Sequence, residues 1–480
     1  MKKAKMVCTL GPASNTPKVI GALIAEGMDV ARINRSHGDI SEDEALIKII
    51  REEAKLQGKT VGILVDLQGP KIRLATFVNG DAVFVKKGDT FTITTEDVEG
   101  TTEKAGTTFK GITKDVKKGQ TILIDDGKIS MKVKEVTKTD VVCEVLVSGF
   151  LSDHKGINLP GTIVTLPALT EKDEKDLRWA LNSDVDMIAM SFVRKAEDVK
   201  EARRVMADEG VKLPIIAKIE KSQAVEDIDN IVAEFDGIMV ARGDLGVEIP
   251  YQEVPLIQKR IIRKCRKQSK PVIVATQALE SMITYATPTR AEVSDVANSI
   301  LDGADATMTS GETAVGKYPV ETVQAMARII GWQTDEGLKH IVPLGEIEET
   351  EASVSMTAAA SNIAEKIDAK FIVTFTETGY SARTLSRMRG SIPIIALGKY
   401  QRIANYLALS WGVQTHLVDQ YDNTDAILRI ADKKLLELDY AKEGDVVVVL
   451  FGSPVGLKGS TNSIVAHKIG TKGIIEYDKL

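Results

Sequence analysis

The feature that most constrains this chain is a unit that recurs. A short apolar, β-branched run leads into a Gly or polar turn, and then into an amphipathic helical pattern. Eight runs read as such strands: residues 6–10, 30–34, 61–66, 187–192, 215–219, 237–240, 272–275 and 306–309. Helical patterns lie between most of them, as at 17–26, 42–56, 173–182, 197–209, 251–268 and 294–301. Strands alternating with helices imply a parallel sheet, and eight such units imply a closed (β/α)8 TIM barrel. Most of these strands are nearly all apolar, which suits a sheet covered on both faces.

The rhythm breaks once, between the third and fourth strands. There the runs 81–86, 90–94, 121–124, 128–136 and 141–147 carry Val, Thr and Lys in rough alternation. Lys-Lys-Gly-Asp, Lys-Lys-Gly-Gln and Asp-Asp-Gly-Lys turns separate them. Alternation with Gly turns predicts a small all-β domain, a β-barrel inserted in a barrel loop. Over the C-terminal mouth it would act as a lid. After Gly331 the pattern softens, and residues 337–351 read as a linker. A helix at 353–366 and strands at 371–374, 392–397, 413–417 and 445–451 then predict an α/β domain of the open-sheet kind. The expected division is 1–70 with 163–340 for the barrel, 71–162 for the lid and 341–480 for the third domain.

Composition narrows the partners. Sixty-two basic against sixty-eight acidic side chains leave a net charge of −6, with no general attraction for nucleic acid or an anionic membrane. Positive field for an anionic ligand must therefore be local. Cys8, Cys143 and Cys265 are odd in number and far apart, which argues against a disulfide framework or zinc and fits the cytoplasm. The apolar run at 6–10 is too short for a signal sequence, and no run approaches a membrane span.

In such a barrel the chemistry sits at the C-terminal strand ends. Along strand two, Arg32, Asn34 and Ser36 share one face, with His37 and Gly38 following. Strand three ends in Asp66 and runs on through Gly69, Pro70, Lys71 and Arg73. Strand five ends Lys218-Ile219-Glu220, strand six Arg242-Gly243-Asp244-Leu245-Gly246, strand seven Thr276-Gln277 and strand eight Ser310-Gly311-Glu312. A buried Lys or Glu needs a partner or a task. Glu220 and Asp244 offer two carboxylates from adjacent strands, a set that suits Mg2+ or Mn2+ better than zinc. Lys218 beside them is a point charge suited to a moving phosphoryl group.

These segments resemble the pyruvate kinase family. The resemblance is carried by Arg32-Ile-Asn-Arg-Ser-His-Gly38, residues 66–73, 154–161, 216–220, 239–249, 272–277, 288–292 and 308–311. It runs over all of the chain, from Lys5 to Thr461-Asn462-Ser463, and the runs around Lys218–Glu220 and Met239–Gly246 are highly specific. It implies transfer of the phosphoryl group of phosphoenolpyruvate to ADP, giving pyruvate and ATP. By that resemblance Glu220 and Asp244 hold Mg2+, Lys218 steadies the phosphoryl group and Arg32 holds the phosphate. Gly243, Asp244 and Thr276 receive the substrate carboxylate, and Thr276 relays a proton to the enolate, through water. Asn34, His37, Arg73 and Lys155 correspond to nucleotide-phosphate contacts. A homotetramer is the family's usual assembly.

One departure concerns K+. Many family members hold it with the strand-two Asn and Ser, the strand-three Asp and a following Thr, and carry a Glu four residues beyond. Here Asn34, Ser36 and Asp66 are present, but the Thr position is Leu67 and the Glu position is Lys71. The expectation is that Lys71 supplies the charge of K+, as in the family's K+-independent branch. In the third domain Thr376, Thr378, Gly379 and Ser381 resemble an effector-phosphate nest, followed by Arg383, Arg387 and Arg389. Glu377 inside that loop favours a sugar monophosphate or AMP over a bisphosphate, with the loop 452–460 expected to complete the site. Two other readings stand beside this one: a phosphoenolpyruvate-handling aldolase barrel, and an inactive relative kept as a metabolite-binding regulator. The first needs neither lid nor third domain. The second usually loses the Lys or a metal carboxylate.

Overall fold

A computed structural model describes residues 2–471 apart from 37, 342, 345–351, 422 and 455–460. The His37 expectation, most of the 337–351 linker and most of the 452–460 loop therefore lie outside the described residues.

Eight parallel strands close into a barrel in simple sequential order. They are Lys5–Thr9, Val30–Asn34, Gly62–Asp66, Met187–Met190, Ile215–Ile219, Gly237–Ala241, Val272–Ala275 and Ala306–Thr309. Side-chain alternation sorts each strand into two cores. Outward Ala31, Ile33, Ile63, Val65, Ala217 and Ile219 pack against the helices. Inward Val7, Val30, Leu64, Ile216, Met239 and Met308 fill the barrel. Two residues above Val30, Leu64 and Ile216 come Arg32, Asp66 and Lys218, so the same inward rows become charged at the C-terminal mouth.

The opposite end is plugged by the third domain. Tyr406, Ala408 and Leu409 join the inward barrel core, and the Tyr406 hydroxyl donates to the Asp236 carbonyl at 2.8 Å. Gly62 is needed for this approach, since a Cβ there would lie 2.7 Å from the Asn405 carbonyl oxygen. Caps fix several barrel helices: Thr170 with Asp173, and Thr289 with Glu292, form reciprocal capping boxes on Glu171–Leu181 and Arg290–Leu301.

The inserted region is all-β save two short helical turns, Val78–Gly80 and Ile112–Asp115, and has its own core around Phe77, Phe91 and Met131. Its strands form one six-stranded sheet and a separate pair, Val83–Val85 with Gly149–Leu151, rather than a single closed barrel. Register shifts in the long hairpin of Ile129–Val136 with Asp140–Val147 coil the sheet around that core. The third domain is a five-stranded sheet with four parallel strands. A fifth strand, Thr461–Lys468, adds antiparallel to Val446–Gly452 at the edge and was not expected from the sequence. Cys8, Cys143 and Cys265 are free and buried. Among the described residues no helix is long and apolar enough to cross a membrane.

Candidate active site

At the mouth, one buried carboxylate organises two cations. Asp66 Oδ2 accepts from Arg32 Nε at 2.8 Å and pairs with Arg32 Nη2 at 2.7 Å, while Oδ1 lies 3.2 Å from Lys218 Nζ. Burial alone would push the Asp66 carboxyl up, but Lys218 and Arg32 outweigh it and hold it below its ordinary range. Arg32 also donates to the Thr9 hydroxyl at 2.9 Å. Lys218 reaches Glu220 Oε1 at 3.0 Å and donates to the Ser191 hydroxyl at 2.7 Å. Burial would lower the Lys218 ammonium, yet Asp66 and Glu220 raise it above its ordinary value, which favours its charged form.

Glu220 is enclosed, with Oε2 accepting from the Phe192 amide at 2.7 Å. Burial raises its carboxyl above the usual range; Lys218 opposes this and the nearby Asp244 charge adds to it. Two carboxylates strained against each other are relieved by a cation. Both Glu220 oxygens keep lone pairs beyond the bonds they already accept. Among the described residues no three His, Cys, Asp or Glu are grouped to hold a metal by themselves. An oxygen-only pair of carboxylates fits a hard dication of the Mg2+ kind and not zinc.

Asp244 sits in the first turn of the helix Arg242–Glu248, directly after strand six. The Gly243 amide donates to Thr276 Oγ1 at 2.8 Å, and that hydroxyl donates to the Ala275 carbonyl at 2.6 Å. Thr276 and Gln277 both hold positive φ, +67° and +52°. Arg242 clamps the turn by donating to the Ala275 and Thr276 carbonyls, while its Nη1 donates to both Asp295 oxygens. The Gly243 amide is thus occupied by Thr276, and a substrate carboxylate would have to displace it.

Other expected residues are placed less centrally. Lys71 Nζ lies 3.9 Å from Asp244 Oδ1, so it faces that carboxylate, whereas the ion-pair partners of Asp66 are Arg32 and Lys218. Asn34 lies opposite Asp66 in register, and its Oδ1 accepts from the Ser36 amide at 3.2 Å. Arg73 and Lys155 come together where the inserted domain joins the barrel: Arg73 pairs with Gly156 and donates to the His154 carbonyl at 2.9 Å. Lys155 reaches Asp125 at 2.9 Å.

In the third domain Thr376 Oγ1 accepts from the Gly379 amide at 2.9 Å, and the Ser381 and Thr461 hydroxyls share a bond of 2.7 Å. Thr378 accepts weakly from the Tyr380 amide at 3.4 Å. Glu377 pairs with Lys399 at 3.4 Å, so its charge is partly neutralised. Two of the three arginines after this loop reach the barrel. Arg389 pairs with Asp305 of the barrel at 2.9 Å and Arg387 donates to the Lys267 carbonyl at 2.7 Å.

Sequence reasoning missed Thr9 and Ser191, which close the charged cluster from strands one and four. Their signal was a lone hydroxyl at a strand end, which is chemically mild. Gly69 marks Ser191 indirectly. Its φ is +70°, and a Cβ there would meet Ser191 Cβ at 2.8 Å.

Comparison with known proteins agrees with this fold. The family model for the pyruvate kinase barrel domain matches residues 1–323, and that for the pyruvate kinase alpha/beta domain matches 354–467. A pyruvate kinase of Mycobacterium tuberculosis is 48% identical over 98% of this chain and 99% of its own. One from Corynebacterium glutamicum is 46% identical over 98% of each. The crystal structure of a pyruvate kinase from Cryptosporidium parvum superposes with a TM-score of 0.90 at 36% identity, covering 98% of this chain and 96% of that one. On these matches across both domains, the chain belongs to the pyruvate kinase family.

Proposed function

We propose that Lys218, Arg32, Glu220, Asp244 and Thr276 divide among them the work of the family's reaction, transfer of the phosphoryl group of phosphoenolpyruvate to ADP to give pyruvate and ATP. The observation that carries this reading is the Arg32–Asp66–Lys218–Glu220 cluster, two cations interleaved with two buried carboxylates at the barrel mouth. Phosphoryl transfer needs placement and neutralised charge more than covalent help. Arg32 presents its guanidinium to the substrate phosphate with Asp66 and Thr9 fixing its plane. Lys218, held from three sides, steadies the group in transit without rearranging. Glu220 and Asp244 hold Mg2+ or Mn2+, which when bound neutralises phosphoryl charge and orients substrate oxygens. Thr276 and the Gly243 and Asp244 amides take the carboxylate. The Thr276 hydroxyl relays a proton to the enolate through water.

Asn34, His37, Arg73 and Lys155 bind the ADP or ATP phosphates, the last two from residues 71–162 acting as a lid. Lys71 takes the place of K+, and Asn34, Ser36 and Asp66 order the site without that ion. Supporting this are the hydroxyl-free Leu67, the Asp66 oxygens already held by Arg32 and Lys218, and an ammonium of the chain's own at the mouth. A phosphorylated effector, a sugar monophosphate or AMP, binds around Thr376, Thr378, Gly379 and Ser381. The working form is a cytoplasmic homotetramer. The K+ assignment is tested by pyruvate formation in potassium-free buffer: the expected rate is within about twofold of that with added K+, and strong activation by K+ would refute it.

A further inference from the structure

Glu248 ends the helix that begins with Arg242, Gly243 and Asp244. Its side chain is only 2% exposed. One oxygen, Oε1, accepts from Asn158 Nδ2 at 2.9 Å and from Lys221 Nζ at 2.5 Å. Asn158 belongs to the two-residue strand Ile157–Asn158, an edge of the inserted domain's sheet just before the chain returns to the barrel. Lys221 directly follows Glu220, and its ammonium sits 5.5 Å from the centre of the Phe192 ring, whose own amide holds Glu220. A single buried carboxylate therefore joins the inserted domain, the strand end bearing Glu220 and the helix bearing Asp244.

The inserted domain meets the same helix again. A Cβ at Gly127, in a turn where Asp125, Asp126 and Gly127 all have positive φ, would lie 3.8 Å from Val247 Cγ1. On the outgoing link, Lys71 lies 3.9 Å from Asp244, and its Cε would be 3.1 Å from a Cβ at Gly156.

We propose that Glu248 is a positioning residue that couples the angle of the inserted domain to cation binding by Glu220 and Asp244; this rests on reading those two as the cation's carboxylates. A cation that draws Glu220 and Asp244 together shifts either Lys221 or the first turn of the helix. Both are fastened to Glu248, and Glu248 is fastened to Asn158. Removing one donor from a buried carboxylate is costly, so the three elements move as a unit. Coupling of this kind is reciprocal. Loosening the contact on the inserted domain must weaken a cation that the altered residue does not touch.

The test uses Mn2+ with the full chain and no substrate. Free Mn2+ is followed by its magnetic resonance signal, and the interdomain distance by spin labels at exposed Lys87→Cys and Lys48→Cys, the native cysteines being buried. In the wild type, Mn2+ should shift the label distance. In N158A and E248Q the dissociation constant should rise about five- to tenfold and the distance shift should be lost, while D244N weakens Mn2+ directly. If D244N weakens Mn2+ but N158A retains wild-type affinity and the wild-type distance shift, the coupling is refuted and the metal assignment stands. If D244N leaves Mn2+ binding unchanged, the metal assignment itself fails, and the coupling with it. Far-ultraviolet circular dichroism selects the folded variants, and N158A carries the test should E248Q not fold.

Discussion

Thr276 shows what the site demands of single residues. A β-branched side chain at φ +67° is strained by about 1–3 kcal/mol. Two hydrogen bonds and the Arg242 clamp on the Ala275 and Thr276 carbonyls hold it there. With its hydroxyl between the Gly243 amide and the Ala275 carbonyl, Thr276→Val keeps the shape and removes the group assigned to the proton relay. Phosphoryl transfer should survive while protonation slows by about 10²-fold, seen as retained ATP formation with delayed deuterium exchange at the pyruvate methyl. Unchanged turnover and exchange would contradict the role, and Thr276→Ser should restore it. Legibility at this scale followed chemistry. Lys218, Glu220 and Asp66 stood out because charge is costly on an apolar strand. Thr9 and Ser191 did not, because a hydroxyl there costs little. Glu248 did not because its partners, Lys221 and Asn158, are far away in the chain.

Among elements, the barrel strands were the most legible. Buried parallel strands are continuous apolar runs, and predicted ends differ from observed ends by at most two residues, as with 187–192 against Met187–Met190. The edge strand Thr461–Lys468 was hidden because its apolar run is only Ile464, Val465 and Ala466, although Val465 packs on one core of the sheet and Ile464 on the other. The other edge strand, Val413–Leu417, carries His416 against the Tyr440 ring with its Nε2 unpartnered. Burial lowers the His416 imidazole to about 4 from its ordinary 6.5. Between those values the unfolded chain binds the proton more strongly, so stability falls as pH drops from 6.5 towards 4 and is unaffected above that window. His416→Phe removes this component. The difference in melting temperature between pH 7 and pH 4.5 should narrow in the variant, and an unchanged difference would count against the assignment.

For the molecule as a whole, the barrel and third domain are one packed body at the barrel's lower end. Asp305 accepts from the Val272 and Trp411 amides and pairs with Arg389, whose guanidinium lies 4.9 Å from the centre of the Trp411 ring. Arg389→Ala strands a buried carboxylate and should cost about 3–5 kcal/mol in urea unfolding. A cost below 1 kcal/mol would show that this pair does not hold the domains together. None of these contacts was legible in the sequence, because Arg387 and Arg389 follow the effector loop in the chain yet face the barrel in space. On the proposed reading, oxygen donors from Glu220 and Asp244 make phosphoryl transfer depend on a divalent cation. The most direct test of that dependence is pyruvate formation from phosphoenolpyruvate and ADP as Mg2+ is titrated, on the wild type and on Glu220→Gln. Turnover in the wild type should saturate with Mg2+ and vanish in chelator, and the variant should lose about 10²–10³-fold. Equal turnover in chelator, or a variant with wild-type Mg2+ dependence, would contradict it.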